Sequence, residues 1–577
     1  MIREEITKLI ESSLKSLQRE KKLPKFKVPG ISVESAIERI HGDYAINIAM
    51  VVAKKIGENP TKVANLLCDR LKAKTGNGKL FEKIEVAGPG FINFFLSKKT
   101  LIDELEKILK EKDKYGWSKI GKGKTIVVDY SGVNIAKPFG IGHLRSTIIG
   151  QAIYNLYKFL GYKVIGDNHI GDWGTQFGKL IYAIKEWGSE EEIVKDPVKN
   201  LVALYVKFHE ESEKNPQLEE EGRKWFKKLE QGDKEARRLW KKCVQWSLEE
   251  FERVYKILGV KIDLTLGESF YEPMLKDVIK EAIDKKIAVK SQGAIIIRYP
   301  NDALPPFMIR KSDGATLYST RDLATIKYRR ERFKPWKIIY EVGADQTLHF
   351  KQLFWTAELL GWGKREDYVH IAHGMMRLPT GRMRTRKGEI ILLEDVLKEA
   401  IKRSEKIVEE KNPGLKTKEK KQIAEIVGIG AVKYNDLSRR PSTNIIFDWG
   451  RVLNLQGNSG PYLQYTYARA KSIIRKSGTS RIKVKGEFKE KKEIQLLRQL
   501  QKFPETVEQT AENYSPNLIC SYLFTLSQDF NAFYESSPVL NAKNSNLKVM
   551  RLALVTTTVQ VIKNGLNLLG IEVLERM

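Results

Sequence analysis

The chain has 577 residues and carries 101 Lys and Arg against 72 Asp and Glu, a formal net charge of +29. At roughly 150 residues per domain this is chain for about four domains, so a small scaffold is excluded, and 42% hydrophobic with 9% aromatic residues excludes a disordered chain. The positive excess has three readings: nucleic acid as partner, an anionic membrane surface as partner, or a lysine-rich solvated face.

In chain order, Ile2, Ile6, Leu9, Ile10, Leu14 and Leu17 recur at helical spacing and predict an amphipathic helix. The opening MIREEITKLIE is acidic and has no long apolar stretch, so it is read as neither a secretory nor a transit segment. HGDYAINIAMVVAKKIG reads as a helix, and IEVAGPGFINFFLS as two strands around Gly88-Pro89-Gly90, giving an α/β domain over 1–112. GWSKIGKG, from Gly116, nearly matches a phosphate cradle, but Gly123 replaces the hydroxyl residue and no strand precedes it, so we reject it as one. The strand TIVVDY, a glycine-containing loop, a helix from Gly142 to Leu160 and the strand YKVIGD predict the opening of a nucleotide-binding parallel sheet over 113–178. Long charged helices then read as an insertion over 179–304. WKIIYEVG and DYVHIAHG supply a second half of the sheet over 305–400, and helices dominate 401–577. There Leu552, Val555, Val559, Ile562, Leu566 and Leu569, and likewise Ile519, Leu523, Leu526, Phe530 and Phe533, form the seams of a helical bundle. KSIIRKSGTSRIKVKGEFKEKKE, with nine basic and three acidic residues, is an RNA-facing surface or a solvated loop. The fold class is therefore α/β: a Rossmann-type parallel sheet with a helical insertion, an N-terminal α/β domain and a C-terminal helical bundle.

Cys68, Cys243 and Cys520 make neither a disulfide framework nor a close ligand pair, which fits a reducing interior. No run reaches the ~18 apolar residues of a membrane span, so a cytoplasmic protein without membrane attachment is expected.

Chemistry concentrates in NIAKPFGIGHLRST, Asn134 to Thr147. Gly140 and Gly142 let a ligand approach the backbone, the helix N-terminus favours phosphate, and Lys137, His143 and Arg145 supply donors. Five of the seven histidines, His143, His169, His349, His370 and His373, fall near strand ends or helix starts of the sheet segments. A zinc site is the rival reading, without helical ligand spacing or an accompanying cysteine.

GIGHLRST resembles the HIGH signature of class I aminoacyl-tRNA synthetases, and NHIGDWGTQFGKL resembles a segment particular to arginyl-tRNA synthetases. LGESFYEP, LYSTRDLA, GADQTLHFKQL, GNSGPYLQYTYARAKSI and LLGIEVLERM are similar to further landmarks of that family, in its order. The resemblance implies ATP-dependent activation of L-arginine and transfer to the terminal ribose of tRNA(Arg), with ATP bound as its Mg²⁺ complex, no protein metal site, and a monomer. It implies that Asp322 and Glu268 hold the guanidinium, Tyr318 adds its hydroxyl and ring, and Asn134 and Gln346 fix the amino-acid end beside Gly132 and Val133. The bare alternative for Asp322 is a surface carboxylate paired with Arg321, Lys327 or Arg329. His143 would lie between the substrate carboxylate and the α-phosphate. Gly140, Gly142, His169, His373, Met375 and Met383 would line the ATP side.

GRMRTRKG, 381–388, occupies the place of the KMSKS signature, so Arg382, Arg386 and Lys387 join the catalytic set. Three positions depart from the family pattern. Gly140 replaces the first His of HIGH, Arg384 replaces Ser, and Val133 replaces Pro. The second lysine of KMSKS is absent, and the resemblance assigns its charge to Lys137. By the same resemblance 1–112 touches the outer corner of the tRNA and 401–577 reads the anticodon, with Tyr462, Tyr465 and Tyr467 as candidate base platforms or core residues. Catalysis would rest on alignment and charge stabilisation, since neither step needs a protein nucleophile. The rivals are a class I synthetase or nucleotidyltransferase of another specificity, and a catalytically weak, synthetase-like tRNA-binding protein.

Overall fold

The structure, a computed structural model, describes residues 2–36, 39–76, 79–377, 391–479, 482, 484 and 486–577. Its centre is an all-parallel sheet of five strands: β1 (Thr125–Asp129), β2 (Lys163–Asn168), β3 (Leu264–Thr265), β4 (Lys337–Gly343) and β5 (Tyr368–His373), in the order 5-4-1-2-3. Ile126, Val127 and Val128 of β1 are fully buried, as a central parallel strand covered on both faces requires. The chain winds one way from β1 to β3 and the other way through β4 and β5. The order reverses between β1 and β4, which opens a crevice at their carboxyl ends. Helix α1 (Gly142–Phe159) leaves that crevice and packs its apolar residues back on the sheet.

The segment 179–304 is not the purely helical insertion that its charge pattern predicts. Its helices, ending in α2 (Lys234–Leu258), are present, but the chain rejoins the sheet at β3, whose two residues are too short to show periodicity. A separate antiparallel sheet of Ala288–Ser291, Ala294–Ile297 and Phe307–Arg310 follows. Helix α2 is tied to the sheet: Ser131 Oγ lies 2.7 Å from the Tyr255 hydroxyl, and Asn168 Nδ2 donates to that hydroxyl at 3.1 Å. Two further helices frame the crevice, α3 (Tyr318–Phe333) and α4 (Thr347–Leu359).

At the N-terminus the predicted helix forms as Ile2–Arg19, burying Ile6, Ile10, Leu14 and Leu17. The reading of 41–57 as one helix needs correction. Tyr44–Ile46 is a strand between Val33–Ser35 and Phe91–Leu96, and only Ile48–Ile56 is helical. Tyr44 and Ile46 point into the core while Ala45 alternates outward, a period-2 signal three residues long. The C-terminal seams are buried as read: Ile519, Leu523, Leu526, Phe530 and Phe533 are all fully enclosed. Helix α5 (Thr417–Leu437) links this bundle to the sheet. The two ends of the chain touch, since the Tyr44 hydroxyl donates to Glu505 at 2.6 Å and the Arg498 guanidinium forms an ion pair with the Asp43 carboxylate, Nε lying 2.7 Å from it. The three cysteines are free and buried. Among the described residues no helix is long and apolar enough to cross a membrane.

Candidate active site

A cleft of about 530 Å³ opens at the carboxyl ends of β1, β2 and β4. At one end stands the start of α1. His143 Nδ1 accepts a hydrogen bond from the Gly140 amide at 3.2 Å, and burial, reinforced by the Lys137 charge, lowers the pKa of the ring. His143 is therefore neutral at pH 7 with its proton on Nε2, a fixed donor beside a helix N-terminus. The next residues of the motif work behind it. Ser146 Oγ accepts from the Ser131 amide at 3.0 Å and donates to the Glu341 carbonyl at 2.9 Å, which joins the loop after β1 to β4. Arg145 turns away from the cleft, and its Nη1 donates to the carbonyls of Gly374 and Thr443, both at 2.7 Å. Its Nε lies 3.0 Å from the Asp436 carboxylate of α5, with both side chains enclosed.

The other end is acidic. Tyr318, Asp322 and Arg329 are spaced by four and seven along one face of α3. Arg329, fully buried, pairs with Asp129 at 2.7 Å and Asp167 at 2.8 Å, the carboxylates at the ends of β1 and β2. This anchor sets the rotation of α3, so that Tyr318 and Asp322 face the cleft. Asp322 Oδ2 lies 2.6 Å from His349 Nε2, and its Oδ1 3.8 Å from His169 Nε2. The alternative pairing of Asp322 with neighbouring cations does not occur. Arg321 pairs with Glu272 at 2.6 Å, Lys327 with Glu281 at 2.8 Å, and Arg329 with the strand ends. Glu268 lines the same cleft as Asp322, and burial pushes its carboxyl up to about 7 against the opposing charge of Arg321.

Two glycines make room for these groups. A Cβ on Gly171 would lie 2.0 Å from Asn134 Oδ1, and one on Gly267 would lie 2.4 Å from the Asp172 carboxylate. Asp172 accepts from the Ser269 amide at 2.8 Å and from the Ser269 hydroxyl at 2.5 Å, which fixes the turn bearing Glu268. NHIGDWG and LGES are thus two halves of one packing arrangement.

Of the residues singled out by sequence, Gly132, Asn134, Gly142, His143, His169, Glu268, Tyr318, Asp322, Gln346, His349 and His373 line the cleft. Val133 does not; its side chain is fully buried in the core. Gly140 is buried behind the wall, bridged to Leu392. Lys137 is exposed outside the wall, although its charge reaches His143. Met375 is 53% exposed, and its amide donates to Asn444 Oδ1 at 2.7 Å. Arg382, Met383, Arg384, Arg386 and Lys387 lie outside the described residues. His373 Nδ1 is 3.0 Å from Glu341 Oε1; burial alone would lower this ring, but the Glu341 charge and hydrogen bond outweigh it and its pKa is raised. His370 stacks on Phe350 and lies 3.0 Å from the Val342 carbonyl, away from the cleft. Among the described residues no three His, Cys, Asp or Glu converge as a metal site. Sequence reasoning passed over His349 as a partner of Asp322, Asp172, Arg145 as an internal staple, Arg329 as an anchor, and Asp345 at the cleft wall. The partners that give these residues their roles lie far away in the chain, from 27 residues for His349 and Asp322 to 291 for Arg145 and Asp436.

Order of strands, a crevice at their reversal point, a neutral histidine at a helix N-terminus and an acidic far wall together define a class I aminoacyl-tRNA synthetase. The family model described as tRNA synthetases class I (R), catalytic domain, matches residues 104–449; an arginyl tRNA synthetase N terminal domain matches 4–96, and a DALR anticodon binding domain matches 463–577. The chain belongs to the arginyl-tRNA synthetase family. It is 45% identical over 542 residues to an arginine–tRNA ligase of Clostridium botulinum (strain Loch Maree / Type A3), covering 93% of this chain and 94% of that protein. To the arginine–tRNA ligase of Fusobacterium nucleatum it is 43% identical, covering 99% of each. The crystal structure of arginyl-tRNA synthetase from Plasmodium falciparum superposes with a TM-score of 0.84 at 27% identity, covering 100% of this chain and 99% of that one.

Proposed function

We infer that this chain joins L-arginine to tRNA(Arg) in two steps, first forming arginyl-adenylate from ATP and then transferring the arginyl group to the 3′ terminal adenosine. One observation carries the assignment of the cleft: Asp322 and Glu268 line the same cavity as the neutral His143 at the start of α1. A planar guanidinium matches paired carboxylates, and a developing phosphate charge matches an Nε2–H donor with helix amides. Arginine would lie with its guanidinium between Asp322 and Glu268 against the Tyr318 ring, and its α-amino end by Asn134 and Gln346. The α-phosphate of ATP would then meet His143 and Gly142. ATP enters as Mg·ATP, a substrate complex. The reading for tRNA, with both ends of the chain engaged, is supported by the match to an anticodon-binding domain and by Tyr465, which is 39% exposed where Tyr467 is buried and the Tyr462 hydroxyl accepts from Asn531. Charging of bulk tRNA with each labelled amino acid tests the function. Arginine alone should be incorporated; charging with another amino acid, or tight tRNA binding without charging, contradicts it.

Two expected results concern single side chains. Glu268 titrates near 7 because it is buried, and a guanidinium beside it would favour the ionised form. Arginine binding then releases a proton, so affinity should fall by up to about tenfold per pH unit below 7 and level off above it. Calorimetry between pH 6 and 8 reads this, and the Glu268→Gln variant should lose that part of the pH dependence. For Lys137→Ala, the rate of arginine-dependent exchange of pyrophosphate into ATP should fall by about 10²-fold while arginine affinity changes little. A wild-type exchange rate would remove Lys137 from the phosphate chemistry.

A further inference from the structure

We propose that the amino-terminal edge of the parallel sheet, on the opposite side from the cleft, is a second RNA-binding surface that takes a single-stranded RNA segment. Its core is GWSKIGKG, the segment that fails as a phosphate cradle. The structure gives those glycines a different purpose. A Cβ on Gly121 would lie 2.2 Å from the Tyr162 ring, so Gly121 lets that ring pack under the loop. Backbone bonds then fix the edge: Gly121 N–H to Leu160 O at 3.0 Å, Lys163 N–H to Lys124 O at 3.0 Å and Trp336 N–H to Thr125 O at 2.7 Å.

On this rigid edge, rings and cations alternate. Tyr162 stacks on Trp336 at 5.5 Å. Lys124 Nζ sits 4.7 Å from the Trp336 ring centre, Lys337 Nζ 5.1 Å from it, and Lys119 Nζ 5.8 Å from that of Trp117. Trp117, Ile120 and Trp336 remain 45%, 51% and 40% exposed. Among the described residues none of Lys119, Lys122, Lys124, Lys163 and Lys337 forms an ion pair with a carboxylate; Lys337 Nζ donates to the Glu366 carbonyl at 2.6 Å. The charges of Glu508 and Glu512 act on Tyr162 on one side of the surface, and Glu366 stands beside Lys337. Exposed rings with unpaired cations between them suit bases that stack and phosphates that alternate with them. An acidic peptide would use the lysines and leave the rings idle. A membrane surface would call for a broad amphipathic face, whereas these apolar groups are separate and ringed by charge.

The test is fluorescence anisotropy of a labelled oligouridylate of about twelve nucleotides, titrated with the full chain in the presence of saturating unlabelled tRNA(Arg). The triple variant Lys119→Glu, Lys122→Glu, Lys163→Glu should bind at least about tenfold more weakly and with a log–log salt slope smaller by about two. Trp117→Ala should bind about fivefold or more weakly with an unchanged salt slope. Both variants should keep wild-type aminoacylation, which also reports that they fold, and Lys→Gln at the same three positions serves if charge reversal impairs folding. Unchanged oligonucleotide affinity in both variants would overturn the proposal. A matching loss of aminoacylation would overturn it too, by assigning the edge to substrate tRNA. So would retained oligonucleotide binding with lost affinity for phosphatidylserine vesicles or polyglutamate.

Discussion

Asp322→Asn should lower kcat/KM for arginine by roughly 10²- to 10³-fold in pyrophosphate exchange, because truncating one member of a hydrogen-bonded charge pair costs about 2–5 kcal/mol. The carboxylate is held ready for a cation. Arg329, locked between Asp129 and Asp167, sets the rotation of α3, and His349 at 2.6 Å sets the plane of the Asp322 carboxyl. Asparagine keeps the shape and one acceptor but removes the charge. Selection for arginine over its neutral isostere citrulline should therefore collapse, with inhibition by citrulline approaching that by arginine. An unchanged arginine-to-citrulline ratio would remove Asp322 from the guanidinium site.

Arg145→Ala is expected to act through two other parts of the molecule at once. It strips a partner from Asp436, which is fully buried and whose pKa burial already raises. Breaking such a pair destabilises a fold by about 3–5 kcal/mol. It also frees the carbonyls of Gly374 and Thr443, which Arg145 holds next to the paired segments Met376–Arg377 and Ile445–Ile446. Because His143 lies two residues away on the same helix, the staple aligns the phosphate end of the cleft with α5. Adenylation should fall at least about tenfold beyond what lost stability explains. The double variant Arg145→Met, Asp436→Leu separates the two effects, since replacing both buried charges by apolar groups is often neutral for stability. Thermal denaturation should return toward wild type while pyrophosphate exchange remains low. Recovery of both would make Arg145 a purely structural residue.

Local patterns are what the sequence makes legible. A buried strand, a glycine loop and a helix in immediate succession announce β1 and α1, and four- and seven-residue spacings announce the bundle seams. Strands of two or three residues, such as β3 and Tyr44–Ile46, carry too few alternations to separate from their surroundings, and by sequence both merge into helical territory. The site divides in the same way. His143 and the glycines beside it belong to one continuous segment. Asp322 and Glu268 came only from resemblance, because the partners that decide their role are distant in the chain: His349 is 27 residues from Asp322, and Asp436 is 291 from Arg145. A charge of +29 points to polyanions in general; part of it sits on an edge of lysines without carboxylate partners, on the opposite side of the sheet from the cleft.

Whether the acidic end of the cleft receives the arginine side chain is read from a crystal structure of the protein with L-arginine. Guanidinium nitrogens are expected about 2.7–2.9 Å from the carboxylates of Asp322 and Glu268, with the α-amino group at Asn134 or Gln346 and the carboxylate directed toward His143. An arginine bound in the reverse direction, or outside this cleft, would contradict that placement.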